Sequence, residues 1–206
     1  MKLYGIKGSP FVRKALVVLE EKGLSYELET MVSVSPKSPE LLALHPMGKI
    51  PILRDGELVV PDSSVICAYL EKKHPSPALY PADLAEYAKA LFLEEYADTA
   101  IFAVLIPVLF ERVVKRFAFK QPPDEARVAE QLDHQLPPVL DYLESQLPAD
   151  RDTALAGFSI ADAALGAQLG TLTLSGVAID AARWPRTARY YELLMKRPSF
   201  VAATSG

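Results

Sequence analysis

Cysteine is almost missing from this chain. Cys67 is the only one in 206 residues, so no internal disulfide can form, and a reducing compartment fits better than a disulfide scaffold. A basic excess is missing too. The chain carries 22 Lys and Arg against 26 Asp and Glu, a net charge of −4, whereas nucleic-acid binders show a strong positive balance. Long apolar runs are also lacking. The uncharged stretch 99–110 is short, and 163–179 is interrupted by Gln168, Thr171, Thr173, Ser175 and glycines. Neither matches the roughly 20 apolar residues of a spanning helix. Lysines interrupt the first seven residues, so no signal peptide is visible. His45, His74 and His134 stand too far apart for metal-ligand spacing. The expectation is a cytoplasmic globular protein with no metal, nucleic acid or membrane among its partners.

What is present supports a packed core. Half of the residues are apolar, 23% are charged and 9% are aromatic, close to an ordinary globular composition. The chain changes character near residue 78. Before it, strand-like and helix-like runs alternate; after it, nearly everything reads at helical period. Pro75, Pro77 and Pro81 stiffen the junction. The segment 1–78 has a net charge of +1 and the remainder −5. Two domains are expected, 1–78 and 84–206.

In the first, Leu3–Ile6 reads as a strand, and Ser9-Pro10 opens a helix to about Lys22, serine as cap and proline in the first turn. Tyr26–Thr30 is a second strand, making a parallel crossover unit. A Ser/Pro loop, 32–39, leads to a short helix, Glu40–Leu44. Pro51–Arg54 and Leu58–Val60 flank the hairpin turn Asp55-Gly56, and Ser63–Lys73 is the next helix. The order β-α-β-α-β-β-α gives an α/β domain with a four-stranded mixed sheet. The second domain reads as all-α. A long helix Glu86–Arg116 should kink at Pro107, and Pro137-Pro138 should bend or split Glu125–Leu147. Ser159-Ile160-Ala161-Asp162 is a capping box before Ala161–Leu174. Arg186–Arg197 follows, with Pro198 just past its end.

Three motifs bear on chemistry. Gly8-Ser9-Pro10-Phe11-Val12-Arg13-Lys14 puts a hydroxyl at a strand-to-helix junction, where unpaired N–H groups favour an anion. Beside a thiolate that hydroxyl can donate a hydrogen bond and lower the thiol pKa. Taken alone, Ser9 reads first as the cap of its helix. In Met47-Gly48-Lys49-Ile50-Pro51-Ile52-Leu53, proline opens a strand; a cis Ile50–Pro51 bond would leave the Ile50 backbone free to pair with a peptide, while a trans bond makes an ordinary edge. In Pro61-Asp62-Ser63-Ser64-Val65-Ile66, Asp62 suits an ammonium and Ser63 a carboxylate, or Asp62 simply caps a helix. Together, two helix starts and one strand edge in a single α/β domain say more than any one of them.

The whole chain resembles a serine-type, bacterial-like glutathione transferase of the cytosolic type. The motifs Ser-Pro-Phe-Val-Arg-Lys, Gly-Lys-Ile-Pro, Pro-Asp-Ser-Ser-Val-Ile and Gly157-Phe158-Ser159-Ile160-Ala161-Asp162 carry that resemblance. It implies a thioredoxin-like N-terminal domain and an all-helical C-terminal domain. Ser9 matches the serine that activates the glutathione thiol. Ile50 matches the residue pairing with the cysteinyl backbone, and Pro51 the cis proline. Lys49 stands where members contact the glycyl carboxylate, and Asp62 and Ser63 match the pair that holds the γ-glutamyl group. Where the family commonly has glutamate, this chain has the shorter Asp62.

The resemblance further implies glutathione as co-substrate with no permanently bound cofactor, a homodimer, and conjugation of hydrophobic electrophiles with possible peroxidase activity. The electrophile is expected where the two domains meet, with Phe11, Tyr96, Phe102, Ile106 and Phe110 as wall candidates. A competing reading on the same fold is a non-catalytic regulator of the starvation type that binds RNA polymerase. Tyr4 rivals Ser9 as thiol activator but lies within a strand. Cys67 reads as a buried structural thiol, and Lys37, in the Ser/Pro loop, as a solvated lysine rather than a contact of the glycyl carboxylate.

Overall fold

Side-chain alternation on four short strands organises the first part of the molecule. The computed structural model describes Met1–Thr204. β1 (Lys2–Gly5), β2 (Glu27–Thr30), β3 (Ile52–Asp55) and β4 (Leu58–Pro61) form one sheet in the order β2-β1-β3-β4. β1 is parallel to β2 and antiparallel to β3, and β3 is antiparallel to β4. Directly opposed residues share a face, so Leu3, Leu53 and Val60 make one buried row and Tyr4, Ile52 and Pro61 the next, on the other face. Tyr4 and Ile52 pack with Met31 and with Leu41 of α2 (Pro39–Leu44). On the hairpin side, α3 (Ser63–Lys73) packs against β3 and β4.

The helix α1 (Pro10–Glu21) starts where the sequence places it, capped by Ser9 with proline in its first turn. It is buried continuously from Val12 to Leu19. Its close approach to β1 depends on Gly5, where an added Cβ would lie 2.4 Å from Val12 Cγ2. The Asp55-Gly56 hairpin forms as expected. Asp55 accepts from Tyr69 Oη at 2.7 Å and pairs with Lys73, tying the turn to α3. These partners, Lys73 foremost, hold the Asp55 carboxyl below its ordinary range. The buried ammonium of Lys22 pairs with Glu71 at 2.7 Å and donates to the His74 and Pro77 carbonyls, fixing the proline-rich segment that follows α3.

The chain forms two compact units, Met1–Tyr80 together with the segment from Arg197, and Pro81–Lys196. The second is helical: α4 (Leu84–Tyr96), α5 (Phe102–Leu109), α6 (Glu125–Glu130), α7 (Leu136–Gln146), α8 (Ile160–Leu174) and α9 (Pro185–Met195). Asp83 caps α4, two residues before the expected start. The helix expected over Glu86–Arg116, kinked at Pro107, is helical throughout but is not a single α-helix. Pro107 stays inside α5, and π-helical stretches, Ala97–Ile101 and Phe110–Phe119, lie on either side of it. Proline removes one N–H from the i→i−4 ladder, and a shift to i→i−5 bonding is one way a helix absorbs such a mismatch. The prolines at 137 and 138 do split their segment, a third π stretch, Gln131–Gln135, giving way to α7.

The capping box forms as expected. Asp162 accepts from Ser159 N and Oγ, Ala154 N and Tyr190 Oη. Its burial nevertheless raises its pKa. Pro198 does more than follow α9: it opens a further helix, α10 (Pro198–Thr204), which the sequence reading did not anticipate. The expected helical domain, 84–206, therefore gives up its last segment, which belongs to the first unit from Arg197 onward. In the structure α10 packs on α1, with Glu21 accepting from Arg197 and from Ser199 Oγ at 2.5 Å.

Candidate functional site

The sheet register brings the three motifs to one end of the first unit. Tyr4 opposes Ile52, and Ile52 opposes Pro61. Beyond that row lie three continuations of chain: Gly5 onward to Ser9, Pro51 back to Lys49, and Asp62 with Ser63. Two helix starts and one strand start therefore share one end of the sheet.

At the first helix start, Ser9 N donates to the Ile6 carbonyl at 3.0 Å. Ser9 Oγ accepts from Val12 N at 3.5 Å, a long capping contact. The half-buried hydroxyl keeps its proton for another acceptor, since the cap uses only an oxygen lone pair. Arg13, buried one turn into the helix, donates from Nη1 to the Lys7 and Gly8 carbonyls at 3.1 and 3.2 Å. Beside it, the fully buried Lys14 reaches Ser64 Oγ at 2.8 Å.

At the second helix start, Asp62 has φ +76°, outside the region that residues with a Cβ prefer. Its Oδ1 accepts from Ser64 N at 2.9 Å and from Val65 N at 3.3 Å. The carboxylate is exposed, and Ser63 beside it is buried. Asp62 is thus a helix cap in the structure, with a second oxygen beyond the one the cap uses.

At the strand start, the Ile50–Pro51 peptide is cis. Ile50 precedes β3 and its N–H and carbonyl take no hydrogen bond within the described residues. Lys49 is exposed. The preceding turn is anchored at Gly48, which has φ +58° and donates to the His45 carbonyl at 2.8 Å. Its carbonyl accepts from Ser33 Oγ at 2.6 Å, and Lys37 Nζ donates to Ser33 O and Oγ at 2.9 and 2.7 Å. The reading of Lys37 as a freely solvated lysine is therefore corrected: it is half-buried and held beside Gly48.

Tyr4 lies buried in the α2-side core and Cys67 is buried in α3. Of the electrophile-wall candidates, Phe11 is half-buried in α1 of the first unit. The other four belong to the second. Tyr96 is occupied there: its hydroxyl donates to Val139 O at 2.9 Å and its ring leans on Tyr142 at 4.8 Å. Burial, then Tyr142, pushes its pKa up to about 12. Phe102, Ile106 and Phe110 fall on successive turns and are incompletely covered. Among the described residues no cluster of three or more His, Cys, Asp or Glu could hold a metal ion, and no helix is long and apolar enough to cross a membrane. The sequence reading assigned no role to Arg13, Lys14 or Ser33; the available signal was two adjacent cations within an apolar helical run, a position where charges are seldom buried.

Sheet and site together define a thioredoxin-like unit that gathers two helix starts and the unpaired Ile50 backbone that precedes β3. The family model for the glutathione S-transferase N-terminal domain matches residues 3–78. A probable glutathione S-transferase of Oryza sativa subsp. japonica is 34% identical over 97% of this chain and 93% of its own. A solved glutathione S-transferase from Rhodospirillum rubrum superposes with a TM-score of 0.90 at 26% identity, covering 100% of this chain and 92% of that one. Another, glutathione S-transferase-I bound with lactoylglutathione, gives 0.86 at 29% identity over 99% and 98% of the two chains. The chain belongs to the glutathione S-transferase family.

Proposed function

We propose that this protein is an enzyme that binds glutathione at the sheet end described above and transfers its thiolate to hydrophobic electrophiles. The observation that carries the reading is the Tyr4–Ile52–Pro61 register, which gathers the three motifs of a family member at one end of the sheet. An extended tripeptide matches that end. The Ile50 backbone offers one donor and one acceptor to the cysteinyl residue. Asp62 and Ser63 offer a carboxylate and a hydroxyl to the γ-glutamyl ammonium and carboxylate, and Lys49 and Lys37 offer cations to the glycyl carboxylate.

The sulfur then falls near Ser9. A hydrogen bond donated by its hydroxyl, together with the N-terminal N–H groups of α1, favours the thiolate over the thiol. Each unit of pKa lowering corresponds to about 1.36 kcal/mol. The thiolate attacks the electrophilic carbon, the C–S bond forms and the leaving group departs with its electron pair; with a hydroperoxide the sulfur attacks the outer oxygen, the O–O bond breaks to release the alcohol, and a second glutathione converts the resulting sulfenic acid to glutathione disulfide and water. Holding both reactants together supplies further rate. Phe102, Ile106 and Phe110 provide apolar surface for the electrophile in this reading. A cytoplasmic location, a role in detoxification and a homodimer follow from the family likeness as parts of the same proposal.

The deciding experiment is calorimetric titration with glutathione, followed by turnover of a generic haloarene. Binding with turnover is expected. An intact protein that fails to bind at millimolar thiol would refute the proposal and favour a non-catalytic partner-binding role.

A further inference from the structure

We propose that the adjacent buried cations Arg13 and Lys14 are positioning residues with separate tasks, Arg13 setting the Ser9 end of the site and Lys14 the Asp62–Ser63 end. The proposal rests on the glutathione reading above and assigns roles to residues that touch neither substrate.

Each cation reaches a different helix start. Arg13 holds the two carbonyls immediately before Ser9, those of Lys7 and Gly8. With the Ser9 N–H bonded to Ile6 O, the turn that aims the hydroxyl is fixed at three points. Carbonyl oxygens carry partial negative charge, which disfavours an anion nearby. A guanidinium that engages both, one helical turn from the hydroxyl, offsets that charge where a thiolate is to rest. Lys14 runs from α1 to Ser64 Oγ. Ser64 in turn donates its backbone N–H to Asp62 Oδ1. Lys14 thereby secures the first turn of α3 and, through it, an Asp62 whose φ of +76° needs such support. Two neighbouring residues on one rigid helix thus fix the distance between the thiol end and the γ-glutamyl end of the site.

The test uses the full-length protein carrying Arg13→Gln, Lys14→Met or Ser64→Ala, with circular dichroism to confirm folding. Two readouts are taken: affinity for S-methylglutathione, which has no thiol to ionise, and the pKa of bound glutathione from the ultraviolet absorbance of its thiolate. Arg13→Gln is expected to raise the bound thiol pKa by about one pH unit while leaving S-methylglutathione affinity within about threefold. Lys14→Met and Ser64→Ala are expected to weaken S-methylglutathione by about tenfold and leave the thiol pKa in place. Ser64→Thr, which retains the hydroxyl, should restore affinity. Parallel changes in both readouts, or none, overturn the division of roles; loss of folding in one buried-cation variant leaves Ser64→Ala against Ser64→Thr to decide, and equal affinity in those two overturns it. If wild-type protein binds no S-methylglutathione, the glutathione reading itself falls.

Discussion

Asp62 carries a φ of +76°, a conformation that costs on the order of 1–3 kcal/mol for a residue with a Cβ. It caps its helix through one carboxylate oxygen. Two variants separate its capping from its charge. Asn caps as well as Asp, so Asp62→Asn should keep its melting temperature while glutathione affinity drops by about tenfold. Asp62→Ala should lose affinity and, in addition, about 1 kcal/mol of stability with the cap. Equal affinity in wild type and Asp62→Asn would remove the ammonium contact from the mechanism. At Ser9 the expected damage is catalytic. Ser9→Ala should retain S-methylglutathione binding and lose turnover by about ten- to a hundredfold, most strongly at low pH, where the thiolate is scarce. Undiminished turnover would pass the role to Tyr4 or to backbone N–H groups.

Between elements, the contact of α1 with β1 is the most sensitive. Gly5→Ala would push a methyl to within 2.4 Å of Val12 Cγ2, and overpacking of this kind costs about 1–3 kcal/mol. Chemical unfolding should show that loss, and glutathione affinity should fall with it because Ser9 follows the same strand. In the helical unit, α9 is held by acids from α7. Glu144 accepts from Arg186 N, Thr187 N and Thr187 Oγ1, and Asp141 accepts from Trp184 Nε1 at 2.6 Å and pairs with Arg183. Arg183, then Trp184, lowers the Asp141 pKa. At Glu144 burial pushes upward, but the α9 backbone and hydroxyl bonds outweigh it, and the net shift is downward. Carboxyls lowered by folding bind fewer protons in the native state. Their stabilisation is complete above the unfolded values and is lost as pH falls through the folded ones. The urea midpoint followed by Trp184 fluorescence should therefore fall on acidification below about pH 4, and Glu144→Gln should flatten that dependence. A Glu144→Gln protein with the wild-type pH profile would dismiss the linkage.

On the scale of the whole molecule, the chain leaves its first unit at Tyr80 and returns to it at Arg197. Phe200, on the returning helix, is 1% exposed. Phe200→Ala should destabilise by about 3–5 kcal/mol although it lies 191 residues along the chain from Ser9. Thermal unfolding checks the magnitude. Recovery of activity when glutathione is added at high concentration would show that the loss acts through stability and not through the site.

Local chemistry determined what the sequence could specify by itself: Ser9-Pro10 started α1, Asp55-Gly56 turned the hairpin, Ser159–Asp162 formed the capping box, and the prolines at 137 and 138 divided their helix. Each of these involves groups within a few residues of one another, so the pattern holds the physics. Tertiary structure decided the rest. Lys14 and Lys22 are charges inside a packed unit where a hydroxyl, carbonyls and a carboxylate from distant segments meet them, and burial without such partners is costly. The docking of α10 on α1 likewise depends on neighbours distant in sequence. The meeting of three motifs at one end of the sheet is a matter of strand register, which no single motif contains.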